Sequence, residues 1–303
     1  MERRNFVKSS ILTTAAMATA NTVLPGAEPA SGSRSFQLKY APHIGMFEQT
    51  AGSDPVDQLH FMADMGFRAF EDNGMMGRSV ATQEKMAKAM ADRQIEMGVF
   101  VVAFDNWPLS TSLASGDKAW RDKFLDTCRE AVDVAKRVNA TWMTVVPGNY
   151  ARHLPIGLQT GHVIDALRRA AEIFEPHGLV MVLEPLSDTP DLFLRYSDQT
   201  YMICRAVNSP SCKILFDMWH MQRNEGRLIH NMDLCWDEIG YFQIGDEPGR
   251  KEPTTGEINY QNVFRHIRDK GFTGILGMEH GNFNEGKDGE MAVIKAYEIV
   301  DRF

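Results

Sequence analysis

Four side chains bearing oxygen donors close four successive apolar runs of this chain: Glu184 in LVMVLEP, Asp217 in KILFDMWH, Gln243 in YFQIGD and Glu279 in GILGMEH. Three carboxylates and one carboxamide make an all-oxygen set of the kind that suits Mg2+ or Mn2+. Zinc would call for cysteine or clustered histidine. Taken singly, each residue also reads as a strand-end turn former or a helix cap. The recurrence on four consecutive runs is what points to convergence on one cation, which would act as a Lewis acid toward a substrate oxygen.

Convergence needs a scaffold that gathers the ends of distant strands. From residue 36 onward, eight short runs rich in Val, Ile, Phe or Leu occur, at 36–42, 67–72, 97–104, 141–148, 179–185, 213–218, 241–246 and 274–280. Each is bounded by Gly, Pro, Asp or Asn. Between them lie stretches such as KAWRDKFLDTCREAVDVAKRV, in which apolar residues recur at three- and four-residue steps, as on one face of a helix. Gly66, Gly178 and Gly271 stand where helix C-terminal caps belong.

This alternation predicts parallel strands joined by crossover helices, and eight units fit a single (β/α)8 TIM barrel over residues 35–303. An open doubly wound sheet would more often carry a glycine-rich phosphate turn after its first strand, and KYAPHIGMFE has none. In a closed barrel the loops after the strands share one face. Glu184, Asp217, Gln243 and Glu279 would then meet there, on strands five to eight.

Composition narrows the partners. A formal net charge of −8 argues against nucleic acid, because binding phosphates needs clustered Lys and Arg. Cys128, Cys204, Cys212 and Cys235 form no CxxC pair and read as buried apolar fillers rather than a zinc site or a disulfide framework. At the N-terminus, ERRNFVK followed by SILTTAAMATANTVLPGA resembles a twin-arginine export signal, with Arg3 and Arg4 as the recognition pair. Its apolar run is shorter than the ~20 residues that span a bilayer. Residues 1–34 are therefore read as an export signal and linker, and the mature protein as periplasmic or secreted with no membrane span. A homo-oligomer stays open.

The segments LEP, FDMWHMQ, QIGDEPGRKEPTTGEINY and MEHG resemble the hydroxypyruvate isomerase branch of the xylose isomerase-like barrels. The likeness is strongest from 179 to 281 and weaker in the first half, where KYAPHIGMFE departs from that branch. It implies that Glu184 and Glu279 transfer protons and that Glu184, Asp217, Gln243 and Glu279 hold the metal. The chemistry is consistent with this, since moving a carbonyl to the adjacent carbon passes through an enediolate whose charge a divalent ion neutralises while a carboxylate moves the proton.

His220, three residues after Asp217, could donate to a substrate oxygen, and Arg250 could bind a substrate carboxylate in bidentate fashion. Glu71, Trp107 and His43 are further candidates to orient or wall in the substrate, each equally readable as a packing or turn residue. Related ketose 3-epimerases usually carry histidine where Gln243 stands, so the amide points toward the hydroxypyruvate branch. The expected activity is isomerisation of a small hydroxy-carbonyl compound, in the manner of hydroxypyruvate to tartronate semialdehyde. A ketose 3-epimerase or keto-sugar lyase on the same scaffold is the first alternative. A non-catalytic periplasmic sugar-binding protein is the second.

Overall fold

A computed structural model describes residues 36–102 and 112–303. The proposed export segment and Trp107 lie outside the described residues. In chain order the elements are β1 (Lys39–Pro42), α1 (Glu48–Ala51), α2 (Pro55–Asp64), β2 (Ala69–Phe70), α3 (Val80–Arg93), β3 (Glu96–Met97), β4 (Phe100–Val101) and α4 (Lys118–Val138). Then come β5 (Trp142–Val145), α5 (Ile156–Phe174), β6 (Val180–Leu183), α6 (Ser197–Val207), β7 (Cys212–Asp217) and α7 (Met218–Asn224). The chain finishes with α8 (Leu228–Cys235), β8 (Ile239–Gln243), α9 (Tyr260–Asp269), β9 (Ile275–Met278) and α10 (Gly286–Val300).

Seven strands pair in parallel in the order β1-β9-β8-β7-β6-β5-β4, and β2 pairs in parallel with β3. A parallel bridge between His43 and Glu71 joins β1 to β2, while Asp72 N–H donates to the Val99 carbonyl across the turn between β3 and β4. These links turn the curled sheet into a TIM barrel with strands at all eight expected positions. The third expected strand is split into β3 and β4 around Gly98 and Val99. Gly98 lies where a Cβ would come within 2.8 Å of the Phe70 carbonyl oxygen and 2.4 Å of the Tyr241 hydroxyl. No residue with a side chain could follow that path unless its neighbours shifted.

Strand periodicity sets what faces inward. Ala41, Ala69, Val99, Val182, Leu215, Tyr241 and Ile275 form a small apolar cluster inside the barrel. The intervening residues, among them Met181, Leu183, Ile214, Phe216, Phe242 and Leu276, join the large cluster beneath the helices. Two residues beyond an inward residue the chain points inward again. Beyond Ala69 that residue is Glu71, beyond Val182 Glu184, beyond Leu215 Asp217, beyond Tyr241 Gln243, and beyond Ile275 first Gly277 and then Glu279. The apolar layer is thus the floor of a polar layer at the C-terminal ends of the strands.

Local chemistry places the helices. Asp54, Ser79, Asp117 and Asn259 accept hydrogen bonds from the first turns of α2, α3, α4 and α9. Gly66, Gly178 and Gly271 take positive φ after α2, after the turn that prolongs α5, and after α9. Helix α5 begins at Ile156, earlier than the periodicity around residue 161 suggests. The buried Gln159 side chain closes the preceding turn by accepting from Ala151 N–H (2.7 Å) and donating to the Leu154 carbonyl (2.8 Å). All four cysteines are free and buried. Among the described residues no helix is long and apolar enough to cross a membrane.

Asp301, just past α10, ties the end of the chain to the start of β1. Its carboxylate accepts from Gln37 N–H (2.6 Å), Leu38 N–H (3.4 Å) and the Tyr40 hydroxyl (2.9 Å). Hydrogen bonds to a charged group contribute about 1.5–3 kcal/mol each at most, and the donors left behind are partly buried. Asp301→Ala should therefore lower unfolding free energy by roughly 2–3 kcal/mol in urea titrations. An unchanged midpoint would show that this tie does not hold the barrel closed.

Candidate active site

Glu184 follows β6 and is 6% exposed, while Asp217, the last residue of β7, is fully buried. Asp217 has two jobs. One oxygen caps α7, accepting from Trp219 N–H (2.7 Å) and His220 N–H (3.2 Å), and the other accepts from the Arg250 guanidinium at 2.9 Å. Helix capping, the other reading of this residue, is therefore present alongside a second oxygen turned to Arg250. Glu279, just beyond β9, accepts from Asn73 Nδ2 at 2.8 Å and from the same Arg250 nitrogen at 2.5 Å.

Gln243 ends β8 beside Asp217 and Gly277 in the register of the sheet. Its amide nitrogen lies 3.3 and 3.4 Å from the two Glu71 oxygens, and its amide oxygen is buried with no hydrogen-bond partner. Glu71 thus packs beneath Gln243 instead of facing the cavity described below. His43, half-buried, turns its ring nitrogens to main-chain carbonyls of Ile44 and His280.

His220 is directed by its neighbours. Ser187 N–H donates to its Nδ1 at 3.0 Å, so the neutral ring carries its proton on Nε2. That Nε2 faces Glu184 (3.7 Å), Asp217 (3.8 Å) and Asp188 (3.9 Å). One ligand-type atom each from Glu184, Asp217 and His220 falls within 4.8 Å of the others. With Nδ1 engaged as an acceptor, His220 is better suited to donate from Nε2 than to offer it as a lone pair.

Arg250 lies in the loop after β8, at a φ of 48°. Asp246 anchors that loop, its oxygens accepting from Gly256 and Ile258 N–H and its own N–H donating to the Lys251 carbonyl. The guanidinium stacks on Trp219, 4.5 Å from the ring centroid.

A cavity of about 330 Å³ is lined by Glu184, His220, Arg250 and Glu279 together with Val101, Val146 and Leu186. Asn73, Thr144 and Asp188 complete its lining. A second cavity, of about 510 Å³, reaches His43 and His280 and shares Asn73, Arg250 and Glu279 with the first. Sequence reading passes over Asn73, Asp188 and Ser187. Asn73 had one signal, since it has the same strand parity as Ala69 and Glu71. Asp188 and Ser187 sit in a loop, where parity says nothing.

The charges do not balance. Burial, then Glu279 and Asp217, push the Glu184 carboxyl well above its ordinary range. Burial lifts Glu279 to about 7 against the pull of Arg250. Burial would raise Asp217 too, but His220, Arg250 and two main-chain N–H groups outweigh it and hold the carboxyl low. Desolvation lowers His220 below the usual imidazole value. Were all three carboxylates ionised against the one guanidinium, two negative charges would remain, an excess that the raised Glu184 and Glu279 carboxyls relieve by holding protons, and the Gln243 oxygen, on the strand next to Asp217, lacks a donor. A hard divalent cation matches both deficits, so the residues present fit such an ion.

Fold and site together define a (β/α)8 barrel with an acidic pocket at the C-terminal ends of its strands. The chain belongs to the xylose isomerase-like TIM barrel family, whose model matches residues 59–298. It is 27% identical to the hydroxypyruvate isomerase of Escherichia coli K12 over 203 residues, covering 65% of this chain and 77% of that protein. It is 28% identical to the 2-oxo-tetronate isomerase of Pectobacterium atrosepticum over 245 residues, covering 77% of this chain and 89% of that one. Among solved structures, a family 2 AP endonuclease from Brucella melitensis superposes with a TM-score of 0.73 at 19% identity, covering 83% of this chain and 96% of that chain. A 3-keto-D-glucoside 4-epimerase from E. coli gives 0.73 at 17%, with coverages of 87% and 99%. These two likenesses speak for the fold alone.

Glu279 allows a test of the charge argument. Its carboxyl titrates at about 7 in the folded chain against an ordinary 4.5, so between those values the folded state keeps a proton that the unfolded state has lost. Its contribution to stability therefore falls as pH rises through that window. Glu279→Gln removes the loss. In metal-free buffer the variant should gain on the parent by on the order of 3 kcal/mol between the two ends of the window, read by urea unfolding at each pH. The difference between the two proteins cancels titrations that Glu279 does not influence, such as that of buried His280, and includes the relief of its push on Glu184 and Glu71. A constant difference would refute the raised carboxyl.

Proposed function

We propose that this chain is a metal-assisted isomerase of a small hydroxy-carbonyl compound, most like the conversion of hydroxypyruvate to tartronate semialdehyde. Its relatives make it an isomerase enzyme. The observation that carries the finer reading is the gathering of the Glu184, Asp217 and Glu279 carboxyls about a single guanidinium, with the unpartnered Gln243 oxygen on the strand next to Asp217. Glu184, Asp217, Gln243 and Glu279 would hold Mg2+ or Mn2+, which when bound supplies Lewis-acid stabilisation of negative charge on the substrate oxygens.

The remaining work falls to the chain's own groups. Glu184 and Glu279 serve as the proton-transferring pair, one taking the proton from the carbon beside the carbonyl and one of them returning it to the neighbouring carbon. A carboxyl lifted to about 7, as at Glu279, both accepts and releases a proton near neutrality. His220 donates from Nε2 to a substrate oxygen, with Ser187 fixing its tautomer. Val101, Val146 and Leu186 exclude water from the reacting carbons. Arg250 is the one cation lining this cavity among the described residues and would meet a substrate carboxylate.

One observation favours a second reading. Asp188 also lines the cavity and would repel an anionic substrate, whereas the hydroxyls of a neutral keto-sugar could donate to it. Ketose epimerisation, or lyase chemistry, uses the same proton abstraction.

The test is turnover of hydroxypyruvate and of a ketohexose panel by chelated and Mn2+-reloaded protein. Activity should vanish on chelation and return with Mn2+. Glu184→Gln and Glu279→Gln should each lose about 10²- to 10⁴-fold in kcat while melting as folded proteins. Full activity after chelation, or in both variants, would sink the mechanism. Tight binding without turnover of any substrate would favour the sugar-binding alternative. We also propose export through residues 1–34, so replacing Arg3 and Arg4 with Lys should keep the protein in the cytoplasmic fraction, and unaltered distribution would exclude this route.

A further inference from the structure

Beneath the candidate site lies a carboxylate with no place in the proposed chemistry. Glu71 is 1% exposed and belongs to the inward-facing set of β2, two residues beyond Ala69. Its side chain reaches across β1 to β9, where a Cβ on Gly277 would fall 1.7 Å from its Oε1 and 2.2 Å from its Cδ. The residue paired with Gly277 in the register of β1 and β9 is Ala41, itself inward-facing. Two of the smallest side chains therefore sit side by side where the acid crosses. A glycine inside a strand commonly marks a close approach of another group, and here that group is Glu71.

The Glu71 carboxylate meets one functional group of the candidate site, the amide of Gln243, with Nε2 at 3.3 and 3.4 Å from its two oxygens. Tyr241 brings its hydroxyl near the same carboxylate without completing a hydrogen bond. An amide has a donor end and an acceptor end, and it is the NH2 end that is turned to both Glu71 oxygens; burial and the Glu279 and Asp217 charges push this carboxyl up, and in its ionised form it only accepts. Contact with Glu71 therefore selects the NH2 end of Gln243, and the oxygen must point the other way. That oxygen is buried and unpartnered. A buried acceptor left without a donor costs stability, so a structure that holds it in place is consistent with a cation that would satisfy it.

We infer that Glu71 is a positioning residue that fixes the rotation of the Gln243 amide, so that its oxygen and not its nitrogen is offered to the divalent cation. Gly277 and Ala41 provide the space in which it does so. This rests on the metal reading of the site given above. It assigns Glu71 a task different from orienting substrate.

The test is Mn2+ binding to the full chain, measured by calorimetry and by the electron paramagnetic resonance of the bound ion, with no substrate present. Partners that orient metal ligands typically contribute 10- to 100-fold in affinity. Glu71→Leu should weaken Mn2+ binding by about that factor. Glu71→Gln, whose own amide can pair with Gln243 either way round, should fall between Glu71→Leu and the parent. The double variant Glu71→Leu/Gln243→Leu should bind no worse than Gln243→Leu, because the two residues act as one unit. Thermal melting reports which variants fold, and Glu71→Gln, the gentlest change, carries the test if Glu71→Leu does not.

Parent-like affinity in folded Glu71→Leu, parent-like affinity in Glu71→Gln where it alone folds, or losses that multiply in the double variant would overturn the inference. Failure of the metal reading looks different. The parent itself would then bind no Mn2+, or Glu184→Gln and Gln243→Leu would bind it as well as the parent, and the inference would fall with it.

Discussion

Confinement of like charge dominates this structure. Glu184, Asp217 and Glu279 come from three different strands and are held together at the mouth of a barrel where water is scarce. Two like charges about 4 Å apart repel by roughly 4 kcal/mol at an effective dielectric near 20. One guanidinium, shared between Asp217 and Glu279, offsets part of this, and Glu184 gets no hydrogen-bond donor among the described residues. Such an arrangement is relieved in part by protons held on Glu184 and Glu279, and beyond that it needs a scaffold that does not relax outward. The closed ring of strands, with its apolar floor and its outer jacket of helices, is that scaffold. The barrel stabilises the chain while the site draws on that stability.

The division between floor and site follows from a period of two, which is why so much of it was legible beforehand. An apolar run that ends in a carboxylate, as VMVLE, KILFD and GILGME do, encodes an inward floor residue followed two places later by an inward acid. The eight strands and the face on which the acids gather could be read from that pattern together with the helical periodicity between runs. What periodicity does not encode is partnership. That one Asp217 oxygen caps α7 while the other meets Arg250 depends on two loops far apart in sequence. The downward contact of Glu71 depends on Gly277, more than 200 residues later, having no side chain. Asn73 shares the parity of its neighbours but stands just beyond the apolar run 67–72, where nothing in the sequence shows that the alternation continues.

Glycine and alanine carry information here that a search for chemically active residues overlooks. Gly277 gives up side-chain packing in the middle of a strand, and Gly98 interrupts the third barrel strand. Both losses cost regular structure, since glycine weakens a strand interior. In each case the space goes to a buried polar side chain, Glu71 at one position and Tyr241 at the other. The weakest points of the sheet are thus tied to the layer just under the candidate site. A residue such as Glu71, too deep to touch substrate, acquires a reason to be charged only when that space is followed through to Gln243.

Arg250 sets the order of events under the proposed function. As the one cation lining the cavity among the described residues, it bridges Asp217 and Glu279 through a single nitrogen, and a bidentate grip on a substrate carboxylate through that nitrogen would compete with the bridge. A divalent ion among the carboxylates would take over the first task, which frees the arginine for the second. Under the proposed function a keto acid would therefore need the metal twice, once for the chemistry and once to release the group that would recognise its carboxylate. A neutral keto-sugar has no carboxylate to recognise and gains nothing from that release. Charge bookkeeping under that proposal separates the two substrate classes: with a keto acid, binding itself would depend on prior metal, whereas with a keto-sugar the metal would govern mainly the step after binding.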